Sequence, residues 1–244
     1  MTKRPNRVRQ LTALALLLLG ATSLRAQSVT LPTVRVAPRG DVVVVYGKDF
    51  ATCAHMMTPA NQLVHSNNRF CTQARNVIDV PPRSFFNAAF IIGNPVKLCH
   101  GNNYGICSPL VTITSGTTLS ASSWSISLQS GGTQTFTLDA GGGFAGQGYL
   151  LLGSLSGTTG FPYGTLQIPL DPDPYFIQTL TRPNSFPLSG SAGTLDAAGM
   201  ATAACTLPPL PPELAGFVLY HAFVVLGPGG VVDVSNPLPL TLVP

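Results

Sequence analysis

Glycine and proline interrupt this chain too often for a long helix to form. The 244 residues include 25 glycines and 22 prolines, and both residue types are unfavourable inside helices. Between the interruptions, Trp124, Ile126 and Leu128 alternate with serines, and Phe136 and Leu138 alternate with threonines. A period of two residues is typical of a strand with one buried face. The sequence therefore predicts an all-β chain, and an apolar content of 45% is enough for a core.

Further short segments with strand character lie between turn signals. Seven or more such strands in the second half predict an antiparallel β-sandwich of the immunoglobulin-like type. The glycine-rich segment 141–148 is expected to be a flexible hairpin loop. The proline-rich segment 208–216 could hold a single helical turn, since proline is tolerated at a helix start, but a link between two strands across the sandwich is favoured. The additional strand predictions are 42–46, 76–80, 85–92, 149–152, 166–170, 176–180, 200–207, 217–226, 231–234 and 238–243.

The first 26 residues have the layout of a secretory signal peptide. Basic residues between positions 3 and 9 precede an apolar run at 11–19, and small residues follow up to Ala26. The apolar run is too short to cross a bilayer as a helix. We expect cleavage after Ala26 and a secreted or envelope-associated mature chain, extracellular or periplasmic, without a transmembrane segment.

The charges divide the chain into two unlike parts. The leader holds five cations and no anions, so its removal changes the formal net charge from +4 to −1. Residues 27–110 carry seven cations and three anions, whereas residues 111–244 carry one cation and six anions. Four of the five cysteines also precede residue 110. We therefore predict a signal peptide at 1–26, a disulfide-containing β domain at 27–110 and a C-terminal β-sandwich domain at 111–244, with no nucleic-acid partner.

Cysteine usage fits an oxidising compartment. Cys53, Cys71, Cys99 and Cys107 allow three pairings, of which Cys53 with Cys71 and Cys99 with Cys107 close local loops. A loop of roughly 10 to 20 residues closed in this way contributes about 3 kcal/mol by the chain-entropy estimate. Cys205 is left over, and a small buried hydrophobe is favoured over a reactive or intermolecular thiol.

A metal site is the alternative use of the same region. His55, Met56, His65 and His100 offer imidazole and thioether ligands suited to copper or zinc, and Met57 adjoins them. Their spacing lacks the paired C-x2-C steps of structural zinc sites. Polar loop histidines and packed methionines explain the same residues, and no cofactor is expected.

Catalytic patterns are sparse. Asp171 and Asp173 each precede a proline, which favours extended backbone and places both side chains on one face. They could serve as a cation or acid pair, although a rigid proline turn explains them equally well. The segment 153–157 has Leu155 where a nucleophile elbow needs serine, and 141–148 is followed by a strand pattern where a phosphate loop needs a helix. His221 is expected to be a structural histidine, and no catalytic residue is assigned.

Aromatic residues suggest one binding mode. Phe161, Tyr163, Tyr175 and Phe176 could stack on the rings of a carbohydrate, or they could anchor loops on the core.

Two stretches resemble known modules. The segments 131–160, 170–180, 189–225 and 235–244, with phrases such as GGTQTFTLDAGGGFAGQGYLLLG and CTLPPLPPELAGFVLYHAFVV, are similar to a C-terminal β-sandwich module found in many secreted bacterial proteins. This resemblance covers about residues 120–244 and implies export and a β-sandwich, without catalytic residues. Residues 34–50, with Pro38, Gly40 and a valine-rich strand, resemble the opening strands of immunoglobulin-like IPT/TIG domains.

The leading function hypothesis is a non-enzymatic structural, adhesion or binding protein outside the cytoplasm. Its partner would be another envelope protein or a surface glycan. An exported copper or zinc protein and a secreted hydrolase using Asp171 and Asp173 are the alternatives.

Overall fold

The structure is a computed structural model that describes residues 33–38, 42–45, 54–57, 59–60, 63–66, 77–78, 92–100, 106–107 and 110–244. The predictions for the signal peptide, Cys53, Cys71 and residues 85–91 lie outside the described residues. Within the described part, no helix is both long and apolar enough to cross a membrane.

The first half contributes a mixed sheet, which we call sheet 1. Its strands lie in the order β4-β3-β6-β8-β1-β2-β5, with β7 on β6, and all pairs are antiparallel except β1 with β8. Strand β8 begins after the predicted boundary at residue 110 and still belongs to this sheet, while the division into domains stays a prediction. The strands are β1 (Thr33–Val36), β2 (Val42–Val45), β3 (Ala54–Met57), β4 (Leu63–Ser66), β5 (Val77–Ile78), β6 (Pro95–His100), β7 (Ile106–Cys107) and β8 (Val111–Ser115).

Two further sheets face each other in the second half. Sheet 2 has the order β15-β17-β11-β9, and sheet 3 has the order β10-β20-β18-β12-β16 with β19 also paired to β18. Their strands are β9 (Thr118–Ala121), β10 (Ser125–Ser127), β11 (Gly132–Asp139), β12 (Gly148–Ser154), β15 (Leu188–Ser189), β16 (Ala192–Thr194), β17 (Met200–Leu207), β18 (Val218–Gly227), β19 (Gly230–Val234) and β20 (Leu238–Val243).

The topology of this sandwich is immunoglobulin-like. The opening strand is divided between the two sheets, because β9 pairs antiparallel with β11 in sheet 2 and β10 pairs parallel with β20 in sheet 3. The remaining pairs of sheets 2 and 3 are antiparallel. The prediction of an all-β antiparallel sandwich is confirmed.

The core between sheets 2 and 3 follows from the period-two pattern. Phe136 and Leu138 of β11 point inward and are fully buried, and Leu151, Leu219 and Phe223 meet them from sheet 3. Burying a side chain of this size contributes about 1.5–3 kcal/mol.

A third layer covers the outer face of sheet 3. It consists of a two-stranded ribbon, β13 (Phe161–Tyr163) and β14 (Leu166–Ile168), and the helix α1 (Pro174–Thr181). Ile168 and Phe176 of this layer pack against Leu152, Val218 and other outward residues of sheet 3. Strand β18 is consequently buried on both faces from Val218 to Val225.

The strand predicted at 176–180 is wrong, because this segment is helical. Asp173 is the N-cap residue, and its side chain accepts a hydrogen bond from the backbone N–H of Phe176. Pro174 occupies the first helical turn, where its missing N–H costs nothing and its fixed φ suits a helix. The local start signal therefore overrides the apolar run that favoured a strand.

Two links cross between sheets 2 and 3 with the same local structure. Residues 141–147 join β11 to β12, and residues 211–217 join β17 to β18. Each contains a three-residue 3-10 turn and then Ala-Gly, whose glycine has positive φ. The N–H groups of these glycines, Gly146 and Gly216, donate to the carbonyls of Leu195 and Leu242. The hairpin predicted at 141–148 is therefore wrong, whereas the sandwich-crossing link predicted at 208–216 is confirmed.

Candidate functional site

Four buried side chains of the sandwich lie together where α1 packs on the edge of sheet 3. We call Asp173, Tyr175, Cys205 and His221 the polar cluster. All four are buried, so their chemistry depends on what each group contacts inside the protein.

Asp173 is the best-bonded member. Its Oδ2 atom accepts hydrogen bonds from the N–H groups of Leu155 and Ser156, at 2.6 and 2.8 Å, and from the hydroxyl of Ser154 at 3.0 Å. Its Oδ1 atom accepts from the N–H of Phe176 at 2.9 Å. Through these four hydrogen bonds the side chain of Asp173 caps α1 and stabilises the turn that follows β12.

Asp171 occupies a different environment. Its Oδ1 atom accepts from the N–H of Gly160 at 2.8 Å, and its own N–H donates to Gly157. The side chain thereby fastens the 157–160 turn, and the two aspartates anchor neighbouring parts of one loop. A cation or acid site formed by Asp171 and Asp173 stays a prediction.

His221 lies at the centre of the core on β18. Its Nε2 atom is 3.1 Å from the hydroxyl of Tyr175, and the Phe136 ring lies over it with a centroid distance of 5.0 Å. In the described part of the chain, its buried Nδ1 atom has no hydrogen-bond partner. One of the two ring nitrogens of this histidine is therefore hydrogen-bonded within the described residues. A protonated ring would bury a charge beside apolar neighbours, and burial lowers the pKa of His221 to about 3.

Gly153 makes the contact between Tyr175 and His221 possible. It pairs directly with His221 across β12 and β18, and a Cβ atom there would lie 2.2 Å from Cε1 of Tyr175. Its N–H donates to the hydroxyl of Thr179 at 3.0 Å, so α1 replaces a neighbouring strand at this edge. The missing side chain thus lets the tyrosine ring pass into the space between the sheets.

Cys205 completes the cluster from sheet 2. It has no exposed surface and is not in a disulfide, and burial raises the pKa of its thiol to about 12. A thiol with so high a pKa is almost entirely protonated near neutral pH and is a poor nucleophile. Burial also raises the pKa of Tyr175, and its interactions with Cys205 and Asp173 raise it further. The hydroxyl of Tyr175, the thiol of Cys205 and the ring of His221 are therefore uncharged near neutral pH.

In sheet 1, a disulfide joins Cys99 to Cys107, the pairing that the sequence predicts. The two cysteines are cross-strand neighbours on β6 and β7. Their sulfur atoms are consequently not free to bind a metal ion.

The candidate metal ligands lie on three adjacent strands of sheet 1. The backbone register pairs His55 with Cys99, His65 with Met56, and His100 with Ala54. Met56 and Met57 are buried. Among the residues that the structure describes, no three His, Cys, Asp or Glu side chains form a group able to hold a metal ion. The metal site stays a prediction.

The four aromatic residues suggested for carbohydrate stacking have unlike exposures. Tyr175 and Phe176 are buried, and Phe161 packs edge-on against Phe176 with a centroid distance of 5.6 Å. Tyr163 is 45% exposed at the tip of the ribbon. Tyr163 is therefore the most exposed ring of this set.

No family model matches the chain, and no curated protein matches it. Three solved structures show a distant similarity to it. The D00-D0 domain of intimin is 10% identical with a TM-score of 0.29, and the match covers 86% of this chain and 100% of that chain. The BSP domain of a biofilm associated protein is 14% identical with a TM-score of 0.31, and the match covers 87% of this chain and 29% of that chain. The ectodomain of a teleost fish polymeric Ig receptor is 10% identical with a TM-score of 0.26, and the match covers 87% of this chain and 98% of that chain. This chain thus spans less than a third of the biofilm associated chain. At such TM-scores the immunoglobulin-like assignment rests on the strand order alone.

The sequence interpretation missed the cluster as a unit. Sequence patterns point to Asp173, Cys205 and His221 separately and to Tyr175 only as an aromatic residue. They give no reason to connect Gly153 with these residues. The Asp-Pro step was the available signal, because an aspartate directly before a proline is a common helix start. Nothing in the sequence connects residue 175 to residue 221.

Proposed function

We propose that the chain is a non-enzymatic, exported β-sandwich protein with a structural, adhesion or binding role. The observation that carries this proposal is the bonding of Asp173, whose two oxygens accept four internal hydrogen bonds. The thiol of Cys205 and the ring of His221 are equally enclosed. Groups held in this way stabilise a fold and are not available to a substrate.

The exported location is part of the same proposal. It is supported by the basic and apolar pattern of residues 1–26 and by the Cys99–Cys107 disulfide, which forms in oxidising compartments. It is also supported by the likeness of about residues 120–244 to a module of secreted bacterial proteins. The partner is another envelope protein or a surface glycan.

Partner binding would use side chains that the fold leaves outside. Ile177 and Leu180 lie one turn apart on α1 and are 51% and 43% exposed, which suits a protein partner. Tyr163 suits a glycan, because a partly exposed ring can stack on a sugar. The described large apolar side chains with the greatest exposure are Ile92, Leu110, Tyr163, Ile177, Leu180, Leu226 and Val232.

The test measures retention of the purified mature protein on intact producing cells. We expect the double variant Ile177→Asp, Leu180→Asp to reduce retention on a protein partner, and Tyr163→Ala to reduce retention that free sugars compete away. Thr202→Asp, on an exposed position of β17, is the matched control. Unchanged retention in both variants would contradict the binding role, and export that persists after deletion of residues 1–26 would contradict the exported location.

The exported metal protein remains the second candidate because of the register of β4, β3 and β6. Three adjacent strands bring the backbones of His55, His65 and His100 close in sheet 1. Stoichiometric copper or zinc in the exported protein, lost in a His65→Ala variant, would favour this candidate over the first.

A further inference from the structure

The connection between sheet 1 and the sandwich is very short. Strand β8 ends at Ser115 and β9 begins at Thr118, so only Gly116 and Thr117 lie between them. The N–H of Gly116 donates to the carbonyl of Val36 on β1 at 3.1 Å. A two-residue connection limits the separation of the two parts, but by itself it leaves their relative orientation free to rotate.

Residues 233–236, which are the last two residues of β19 and the two that follow it, contact this connection from the other side. The hydroxyl of Thr117 donates to Oδ2 of Asp233 at 2.5 Å, and Thr117 has no exposed surface. Oδ1 of Asp233 accepts from the N–H of Val234 at 2.8 Å, which orients the carboxylate. The connection is thus held by a charged group of the sandwich.

Arg35 reaches the same segment from sheet 1. Its Nη1 atom donates to the carbonyl of Val234 at 3.1 Å, across 199 residues of sequence. Burial lowers the pKa of Arg35, and attraction to Asp233 opposes that shift. A Cβ atom on Gly116, whose φ is +128°, would lie 3.1 Å from the guanidinium, so glycine leaves room for it. Moving Arg35 away from this segment would cost it the hydrogen bond to Val234 and the attraction to Asp233.

Asn236 extends the contact to the first strand of the sandwich. Its Oδ1 atom accepts from the N–H of Leu119 at 2.9 Å, and its Nδ2 atom donates to the carbonyl of Leu119 at 3.0 Å. Ser235 fixes the segment to β18, because its hydroxyl accepts from the N–H of Phe223 and its N–H donates to the carbonyl of Phe223. Four consecutive residues therefore hold β1, the connection, β9 and β18 together.

We propose that residues 233–236 form a latch that locks sheet 1 to the sandwich, so that the two parts of the exported protein move as one rigid body. Without the latch, the Gly116–Thr117 connection becomes a hinge. This inference goes beyond the proposed function, since it concerns how the parts are coupled and holds whatever partner is bound.

The test is nuclear relaxation and amide exchange on the mature chain, with Arg35→Met, Asp233→Asn and the double variant. The latch predicts one shared tumbling time in the wild type and separate, shorter times in the double variant. It also predicts that exchange at Gly116 and Leu119 rises by roughly tenfold or more, the factor expected from losing a hydrogen bond to a charged group.

Two controls keep the outcome unambiguous. Arg182→Met removes the one cation of residues 111–244, which lies at the end of α1 and not in the latch, and it should leave tumbling and exchange unchanged. Unchanged exchange protection of the β18 amides shows that the sandwich of a latch variant is still folded. If this protection is lost, Arg35→Lys replaces Arg35→Met, because lysine keeps the positive charge but lacks the guanidinium group. Independent tumbling of the two parts in the wild type, or one shared tumbling time in the folded double variant, would overturn the proposal.

Discussion

At the scale of single residues, burial decides what each ionisable group of the sandwich does. The two oxygens of Asp173 accept hydrogen bonds from four internal donors, whereas His221 has a partner at one ring nitrogen only. Burial without enough hydrogen bonds disfavours the charged form of a group. The aspartate therefore holds the turn after β12 and the start of α1, and the histidine is a neutral ring in the core.

The neutral His221 predicts acid sensitivity. Its folded pKa of about 3 lies below the ordinary value of 6.5, so below pH 6.5 the unfolded chain takes up a proton that the folded chain refuses. Stability is therefore lost as pH falls from about 6.5 towards 3, and the loss reaches about 3 kcal/mol at pH 4.

Denaturant titrations of the wild type and His221→Phe between pH 7 and pH 4 measure this effect. The carboxylates act in both proteins, so the difference between the two curves isolates the histidine. We expect the variant to lose less stability on acidification, and parallel curves would show that His221 is not the responsible group.

The four hydrogen bonds of Asp173 predict a large cost of removal. Asp173→Ala leaves the first turn of α1 uncapped and the N–H groups of Leu155 and Ser156 without their acceptor, which should lower the free energy of unfolding by about 3 kcal/mol or more. Asp196→Ala is a suitable control, because Asp196 also accepts from two backbone N–H groups but is exposed. Equal losses of unfolding free energy in the two variants would contradict the assigned role.

At the scale of elements, sequence patterns located the strands better than they located the helix. The strands predicted at 200–207 and 238–243 have those bounds in the structure, because alternation and flanking turn residues are local signals. The sequence does not predict the helix at 174–181, because its apolar residues also fit a strand and an Asp-Pro step also fits a turn. It predicts a hairpin at 141–148 where the chain crosses between sheets, since a local pattern does not say which sheet the next strand joins.

The packing of α1 on β12 predicts a steric effect at Gly153. Gly153→Ala places a methyl group against the ring of Tyr175 and should destabilise the sandwich by about 1–3 kcal/mol, as overpacking does. Gly148→Ala, on the same strand, is the control, because its nearest neighbour would be at an ordinary distance of 3.5 Å.

A second substitution identifies the cause. In the background of Tyr175→Leu, the alanine at position 153 should cost much less than in the wild type, which thermal unfolding of the four proteins measures. An undiminished cost in that background would mean that the ring does not fill the space above Gly153.

At the scale of the whole molecule, the contacts that matter most join residues far apart in sequence. Leu119 and Asn236 are separated by 117 residues and Arg35 and Val234 by 199. No local sequence pattern predicts such contacts, so the sequence alone does not predict the polar cluster or the latch. The charge asymmetry was visible in advance, and the contact of Arg35 with the 233–236 segment is one place where the basic and acidic parts meet.

The central claim is that the side chains of the polar cluster stabilise the fold and do not contact the binding partner. The most direct measurement compares, for Asp173→Asn and His221→Phe, the free energy of unfolding with the retention of folded protein on intact producing cells. We predict a lower free energy of unfolding in both variants and wild-type retention per folded molecule. A variant that remains fully folded and loses retention would contradict the claim.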